Sequence, residues 1–258
     1  MNKVIQQLRN DLATEKAFTK ELIKGKHMSD PIALSFSRLS DYEQCPLKFK
    51  SKYITKVYPD DSNNPAFAKG SAIHKQLENY INFVRNEGDI PKMGQHASNA
   101  SNMIDKLNTL SKGNIYPEKQ LAVDMNYKRC DWFAKPTKVK WRAIIDCLVF
   151  LDDETLLIID WKSGNFREYE DGPTTQLKLT AVILFNLYPN IKNITSSYMF
   201  VEHKRTVKVD FKRDQLASMQ EKFDDAYTIV NQDGDFQFKK NKYCNWCLLD
   251  GTICPVKK

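Results

Sequence analysis

No stretch of this 258-residue sequence comes near the roughly 18 consecutive apolar residues of a membrane-spanning helix, so no membrane span is expected. Residues 1–26 lack the uninterrupted apolar core of a secretory signal and mix charge with apolar side chains throughout. That pattern predicts an intracellular, cytoplasmic protein. Internal repeats and low-complexity segments are absent too, and the length suits one large domain or two small ones. Paired C-x₂-C motifs, the usual mark of a zinc ribbon, are also missing: Cys244 and Cys247 form a single such pair.

Against these absences, the composition is that of an ordinary globular chain, 41% hydrophobic and 28% charged, with a net charge of +7. An excess of positive charge favours polyanionic partners through counterion release, although many proteins so charged bind nothing acidic.

Periodicity divides the chain into helices, then strands, then helices. Apolar residues at helical spacing from Val4 to Ile23 predict an amphipathic helix over residues 3–24. Residues 35–53 read as two short helices broken at Pro46, with Ser37 as a candidate cap. A longer helix over 66–84 carries Ile73, Leu77, Tyr80 and Ile81 on one face, and another helix ends near Leu110. From Tyr116 the period becomes two, which predicts strands over 118–127, 139–151 and 156–162. A helix over 174–187, strands over 195–201 and 206–211 and a helix over 214–230 follow. This order describes one mixed α/β domain.

The sharpest chemistry lies between Arg142 and Gly164. Two apolar runs flank Asp152-Asp153-Glu154, a hairpin signal with a short polar turn. A turn centred on Asp153 sets Asp146 directly opposite Asp160, and strand alternation puts Lys162 on the face of Asp160. Opposed Cβ atoms lie about 5 Å apart. At an effective dielectric near 20, two carboxylates at that distance repel by about 3 kcal/mol. Such a pair needs a proton or a cation, and Mg²⁺ or Mn²⁺ suits carboxylate ligands. A register slip of one residue would turn Asp146 to the other face. The plainer alternative makes Asp160 the start of a turn and Lys162 a solvated surface residue.

Asp146 followed by Asp160-Trp161-Lys162-Ser163-Gly164 resembles the D…D-x-K-[ST]-G signature of PD-(D/E)XK nucleases. Three further segments resemble the RecB-like branch: Gly70 to Glu78 its G-x-x-x-H-x-x-L-E helix, Gln176 the glutamine of its Q-x-x-x-Y helix, and Ser37 to Pro46 its S-x-L…C-P segment. The resemblance spans residues 35–254. It implies a restriction-endonuclease-like fold, with His74, Asp146, Asp160 and the carbonyl of Trp161 as metal ligands. Asp146, Asp160, Lys162 and Gln176 are then the catalytic set. The family tyrosine four residues after the glutamine is Thr180 here, which leaves the role of that position open. Glu78, one turn beyond His74, could orient the imidazole or be a solvated acid. Glu118 opens the first predicted strand and takes only a secondary place, beside the ligands or on the DNA side.

Cys244, Cys247 and Cys254 form a C-x₂-C-x₆-C triplet, one ligand short of a four-thiolate site, and Cys45 in its Cys-Pro setting is the candidate fourth. Four thiolates suit zinc or an iron–sulfur cluster. The resemblance to AddB-type and CRISPR-associated RecB-like nucleases implies a [4Fe–4S] cluster joining the N-terminal helices to the C-terminal tail. Cys130 and Cys147 read as small core residues. Lys239, Lys240, Lys242, Tyr243 and Trp246 suit single-stranded DNA, or equally a solvated loop.

The expectation is therefore a nuclease domain over residues 35–258, a central mixed sheet flanked by helices, after a helical extension over 1–34. It would hydrolyse DNA with Mg²⁺ or Mn²⁺, as a single-strand exonuclease in recombination, repair or replication. The alternatives are a flap endonuclease and a non-catalytic iron–sulfur DNA-binding subunit. No G-x-x-x-x-G-K-[ST] loop is present, so a helicase or recombination partner would be a separate protein. Oligomeric state is not legible.

Overall fold

The computed structural model describes residues 30–60, 65–164, 166 and 174–257. The helix expected over residues 3–24 lies outside them. Among the described residues no helix is long and apolar enough to cross a membrane.

The chain enters through two consecutive short helices, α1 (Phe36–Gln44) and α2 (Pro46–Phe49), the second running on into a wider turn over Lys50–Ile54. Ser35, rather than Ser37, caps α1, its hydroxyl accepting the Arg38 N–H at 3.3 Å. The break falls at Cys45, because Pro46 cannot donate to a continuing helix but suits the first turn of a new one. Next come α3 (Pro65–Val84), the single turn α4 (Gln95–Ser98) and α5 (Ser101–Leu110).

Five strands follow: β1 (Ile115–Val123), β2 (Trp141–Phe150), β3 (Thr155–Lys162), β4 (Asn193–Phe200) and β5 (Arg205–Lys212). Between β3 and β4 runs α6 (Thr174–Leu187), and α7 (Leu216–Gln232) follows β5. The strands lie in chain order, all neighbours antiparallel except the parallel pair β3 and β4, whose crossover is α6. The expected mixed sheet flanked by helices is present, with strand ends moved by a few residues.

Alternation along the strands builds two cores. On one face Leu148, Leu156, Ile158, Ile194 and Tyr198 pack against α6, α7, α1 and α2. On the other, Cys147, Val149, Ile159, Trp161 and Met199 pack against Ile73, Leu77 and Ile81 of α3 and Ile104 of α5. The α6 helix is apolar around most of its circumference, and Leu177 through Phe185 are buried except Lys178, because sheet and helices enclose it. Cys147 is a core residue and Cys130 packs on a small third cluster, as expected of them.

Among the described residues, no cysteine cluster joins the two ends as expected. The tail does lie against α1 and α2, but hydrogen bonds and packing hold it there. Carbonyls left open at the end of α1 accept Lys239 Nζ (Glu43 O, 2.8 Å) and Asn241 Nδ2 (Gln44 O, 2.9 Å). Phe236 stacks on Phe49 with centroids 6.1 Å apart, and Tyr58 Oη accepts the Leu248 N–H at 3.2 Å. The thiols enter these contacts individually: Cys45 Sγ accepts the Lys239 N–H and Cys244 Sγ the Asn241 N–H.

Candidate metal centre

The β2–β3 ladder runs from Phe150↔Leu156 to Cys147↔Ile159 and stops there. This is the register expected from a turn centred on Asp153. Beyond it the strands part, while β3 goes on pairing with β4 as far as Lys162↔Phe200. Asp146 and Asp160, the next residues of each strand, stand at the mouth of this fork. Asp160 belongs to the face that α6 covers, two residues beyond Ile158 of that core, whereas the alternation of β2 breaks at Asp146, since Ile145 and Leu148 lie in the same core.

The β1–β2 ladder is interrupted at the same level. Pro117↔Cys147 and Lys119↔Ile145 pair, whereas Glu118 and Asp146 do not. Glu118 has φ +44, a left-handed conformation that costs a non-glycine residue about 1–2 kcal/mol. Strain of that kind collects at functional sites. Here the kink at Glu118 coincides with the gap opposite Asp146.

His74 arrives from α3 on the opposite face. Ile73, Leu77 and Ile81 anchor that helix in the core. Gly70 lets it come close to the end of β3, since a Cβ there would stand 3.1 Å from Ser163 Oγ. His74 Nδ1 lies 3.5 Å from Asp146 Oδ2 and 3.9 Å from Glu118 Oε1, and Nε2 is 3.0 Å from Trp161 O. Ligand atoms of His74, Glu118 and Asp146 all lie within 4.8 Å of one another, close enough to hold one metal ion. Glu78 pairs instead with Lys75, at 2.9 Å.

On the α6 side the remaining groups form a closed relay. Asp160 Oδ2 is 2.6 Å from Lys162 Nζ, and Oδ1 accepts Gln176 Nε2 at 2.6 Å. Lys162 Nζ also donates to Gln176 Oε1 at 3.3 Å and lies 4.7 Å from the centre of the Tyr198 ring. Thr180, at the family tyrosine position, is buried and turns its hydroxyl back to Gln176 O at 3.0 Å.

The electrostatics suit a cation. Burial and then the charge of Asp160 push the Asp146 carboxyl up to about 7, against the lowering influence of His74. Burial raises Asp160 as well, partly offset by Lys162. For His74, burial opposes the protonated ring, but Glu118, Asp146 and Asp160 together outweigh it and raise its pKa. These are clustered carboxylates without enough positive charge, and an imidazole drawn towards taking a proton to supply it. Two carboxylates and one imidazole, with a backbone carbonyl alongside, are a donor set that fits Mg²⁺ or Mn²⁺.

A PD-(D/E)XK-type α/β fold with a metal-coordinating His/Glu/Asp group defines a nuclease. The family comparison agrees: the PD-(D/E)XK nuclease superfamily matches residues 33–255, and the chain belongs to that superfamily. No curated protein matches the sequence. A solved structure described as "Crystal structure of SSO0001" is similar to it at 15% identity and a TM-score of 0.42, over 98% of this chain and 99% of that one.

The expected iron–sulfur branch and its [4Fe–4S] cofactor are not borne out. Among the described residues, the one group of three or more His, Cys, Asp or Glu side chains with mutually close ligand atoms is the His/Glu/Asp group, and it contains no cysteine. Cys45, Cys244, Cys247 and Cys254 are free thiols. Spacing in sequence limits which thiols can meet, but the packing of the tail decides whether they do.

Glu118 is the residue that sequence reasoning undervalued. One signal was available: β1 pairs with β2 in a register that brings Glu118 level with Asp146. Reading it required a non-local strand pairing that no short turn specifies.

Proposed function

We propose that this chain is a Mg²⁺- or Mn²⁺-dependent deoxyribonuclease acting as a single-strand exonuclease inside the cell, in recombination, repair or replication. The observation that carries the reading is the position of Lys162. Its ammonium lies 2.6 Å from Asp160, at the fork where Asp146, Glu118 and His74 converge.

His74, Glu118 and Asp146 would hold the ion, with Asp160 and the Trp161 carbonyl as further oxygen donors beside them. A bound divalent cation supplies Lewis-acid polarisation of the scissile phosphate and eases proton loss from the attacking water. The chain's own groups do the rest. Lys162 offsets negative charge developing on the phosphoryl oxygens, from a pocket where that interaction is stronger than in water. Gln176 holds the carboxylate and the ammonium together, so neither must reorganise on substrate binding. Glu118, the most exposed of the three carboxylates, lines the groove at the sheet's end, where a phosphodiester can approach.

The test uses a 5′-labelled single-stranded oligodeoxynucleotide with Mn²⁺, alongside a circular single strand of the same sequence. The expected result is stepwise shortening of the linear strand, an intact circle, and loss of both metal response and cleavage in Asp160→Asn. Equal cleavage by Asp160→Asn would overturn the assignment of this site. Cutting of the circle would replace exonuclease with endonuclease.

A further inference from the structure

Between β1 and β2 the chain makes an excursion whose chemistry the nuclease reading leaves unused. Phe133 sits near its tip and is 87% exposed, an extreme value for a phenylalanine. Its surroundings hold it there. Asp131 Oδ1 accepts the Phe133 N–H at 2.6 Å, and the Ala134 N–H returns to Asp131 O at 3.1 Å, closing a tight turn. Arg142 then clamps the turn from β2, Nε donating to Trp132 O at 3.0 Å and Nη2 to Ala134 O at 2.8 Å. Trp132 and Ala134 pack inward on Ala33, Ala122 and Val139. The flanking residues are thus anchors, and the ring between them faces solvent from a rigid turn.

The turn forms one wall of an open groove of about 1090 Å³ that reaches the metal centre. Glu118, Asp146 and Gln176 line one part of it, Phe133 and Lys135 another, and Arg38 and Arg142 also contribute. Leu34, Phe36, Ile144 and Leu179 give it an apolar lining, and Ile144 is itself 47% exposed. Aromatic and aliphatic surface for base faces, cations for phosphates, and continuity with carboxylates able to hold a metal are the elements of a single-strand track.

We propose that Phe133 is a base-stacking platform that selects single-stranded nucleic acid and guides it to the carboxylate site. The proposal rests on the nuclease reading for its direction of travel, and it names what that reading does not: the residue that sets strand preference. A paired and stacked duplex offers its base faces only at its ends, so an aromatic ring on the wall of a groove can engage an unpaired strand along its length. Phe133 is a positioning residue that touches no reacting atom.

The experiment uses the full chain and single-stranded oligodeoxynucleotides carrying 2-aminopurine at one position at a time, bound in EDTA so that nothing is cut. Quenching of the probe at one or two positions is expected. Phe133→Ala should remove that quench and weaken binding by about fivefold or more, within the range for loss of one base–aromatic stack. Phe133→Trp should restore both. Phe133 is exposed, so unchanged thermal unfolding of the alanine variant separates lost stacking from lost fold. A quench that persists in Phe133→Ala, or an unaltered affinity, overturns the proposal. So does blunt duplex binding as tight as single-strand binding and equally sensitive to the substitution. Cleavage with Mn²⁺ is scored separately. A Phe133-dependent quench without any cleavage would sink the nuclease reading and leave the platform standing, whereas cleavage without that quench would do the reverse.

Discussion

Asp146 Oδ2 accepts the backbone N–H of Trp161 at 2.8 Å, across the gap where β2 and β3 cease to pair. The carbonyl of the same residue lies 3.0 Å from His74 Nε2. One peptide group at the end of β3 therefore ties a carboxylate from the neighbouring strand to an imidazole from a helix on the opposite face. The side chain of Trp161, 2% exposed in the α3-side core, pins that peptide in place. The site is thus assembled around backbone as much as around side chains, which is why it can be precise at the open end of a sheet.

Lys162→Ala should lower the rate of cleavage by about two to three orders of magnitude, the usual cost of removing a preorganised group that stabilises charge in the transition state. Metal affinity should fall little, because the ammonium is not a ligand. Rates on labelled DNA, together with Mn²⁺ titration by calorimetry, check both parts. A variant that loses metal and activity in parallel would show Lys162 to be structural.

Glu118→Gln tests the member of the site that sequence reasoning placed second. It keeps the shape and removes the charge of a side chain whose oxygen lies with those of His74 and Asp146. Mn²⁺ affinity should drop by at least about tenfold, as for groups that support a metal's ligands or more. Calorimetric titration measures it, and an unchanged affinity would remove Glu118 from the ligand set.

Without metal, the protein should lose stability as the pH rises from about 4 to about 7. Asp146 is held up to about 7 in the folded state, so in this window the folded chain keeps a proton that the unfolded chain releases. The slope of unfolding free energy with pH is then negative. The loss should be on the order of 1–3 kcal/mol by neutral pH. Asp146→Asn should reduce it, with the raised Asp160 and His74 leaving a remainder, and saturating Mn²⁺ should reverse it, since a ligand that binds the folded state stabilises it. Urea unfolding across the pH range in EDTA gives the result directly.

Gln176→Ala should leave Asp160 and Lys162 paired yet less well oriented, because Gln176 bonds both. A fall in kcat of about tenfold is expected, with KM changed less, as for a group that positions others rather than binding substrate. Steady-state kinetics on a single-stranded substrate separate these terms.

Much of the fold was legible because its strongest signals are local. The Asp152–Glu154 turn and the alternation on either side set the β2–β3 register, and that register brings Asp146 level with Asp160. Helix α6 was read with its observed bounds, since its apolar residues from Leu177 to Leu187 outrun a strand in length. His74 and Gln176 were found through motif context rather than periodicity, because one histidine or one glutamine on a helix carries no signal of its own.

The sequence alone determined which strands form the hairpin and which carboxylates stand level across it, since a short turn fixes the register of the strands it joins. Tertiary structure decided the rest. It set Glu118 beside Asp146 through a kink and a long-range strand pairing, and it tied the tail to α1 and α2 by hydrogen bonds rather than by a cysteine cluster. It also left Phe133 exposed on a turn clamped by Arg142. The first two depend on contacts between distant segments, whose geometry follows from how the layers pack and not from residue spacing.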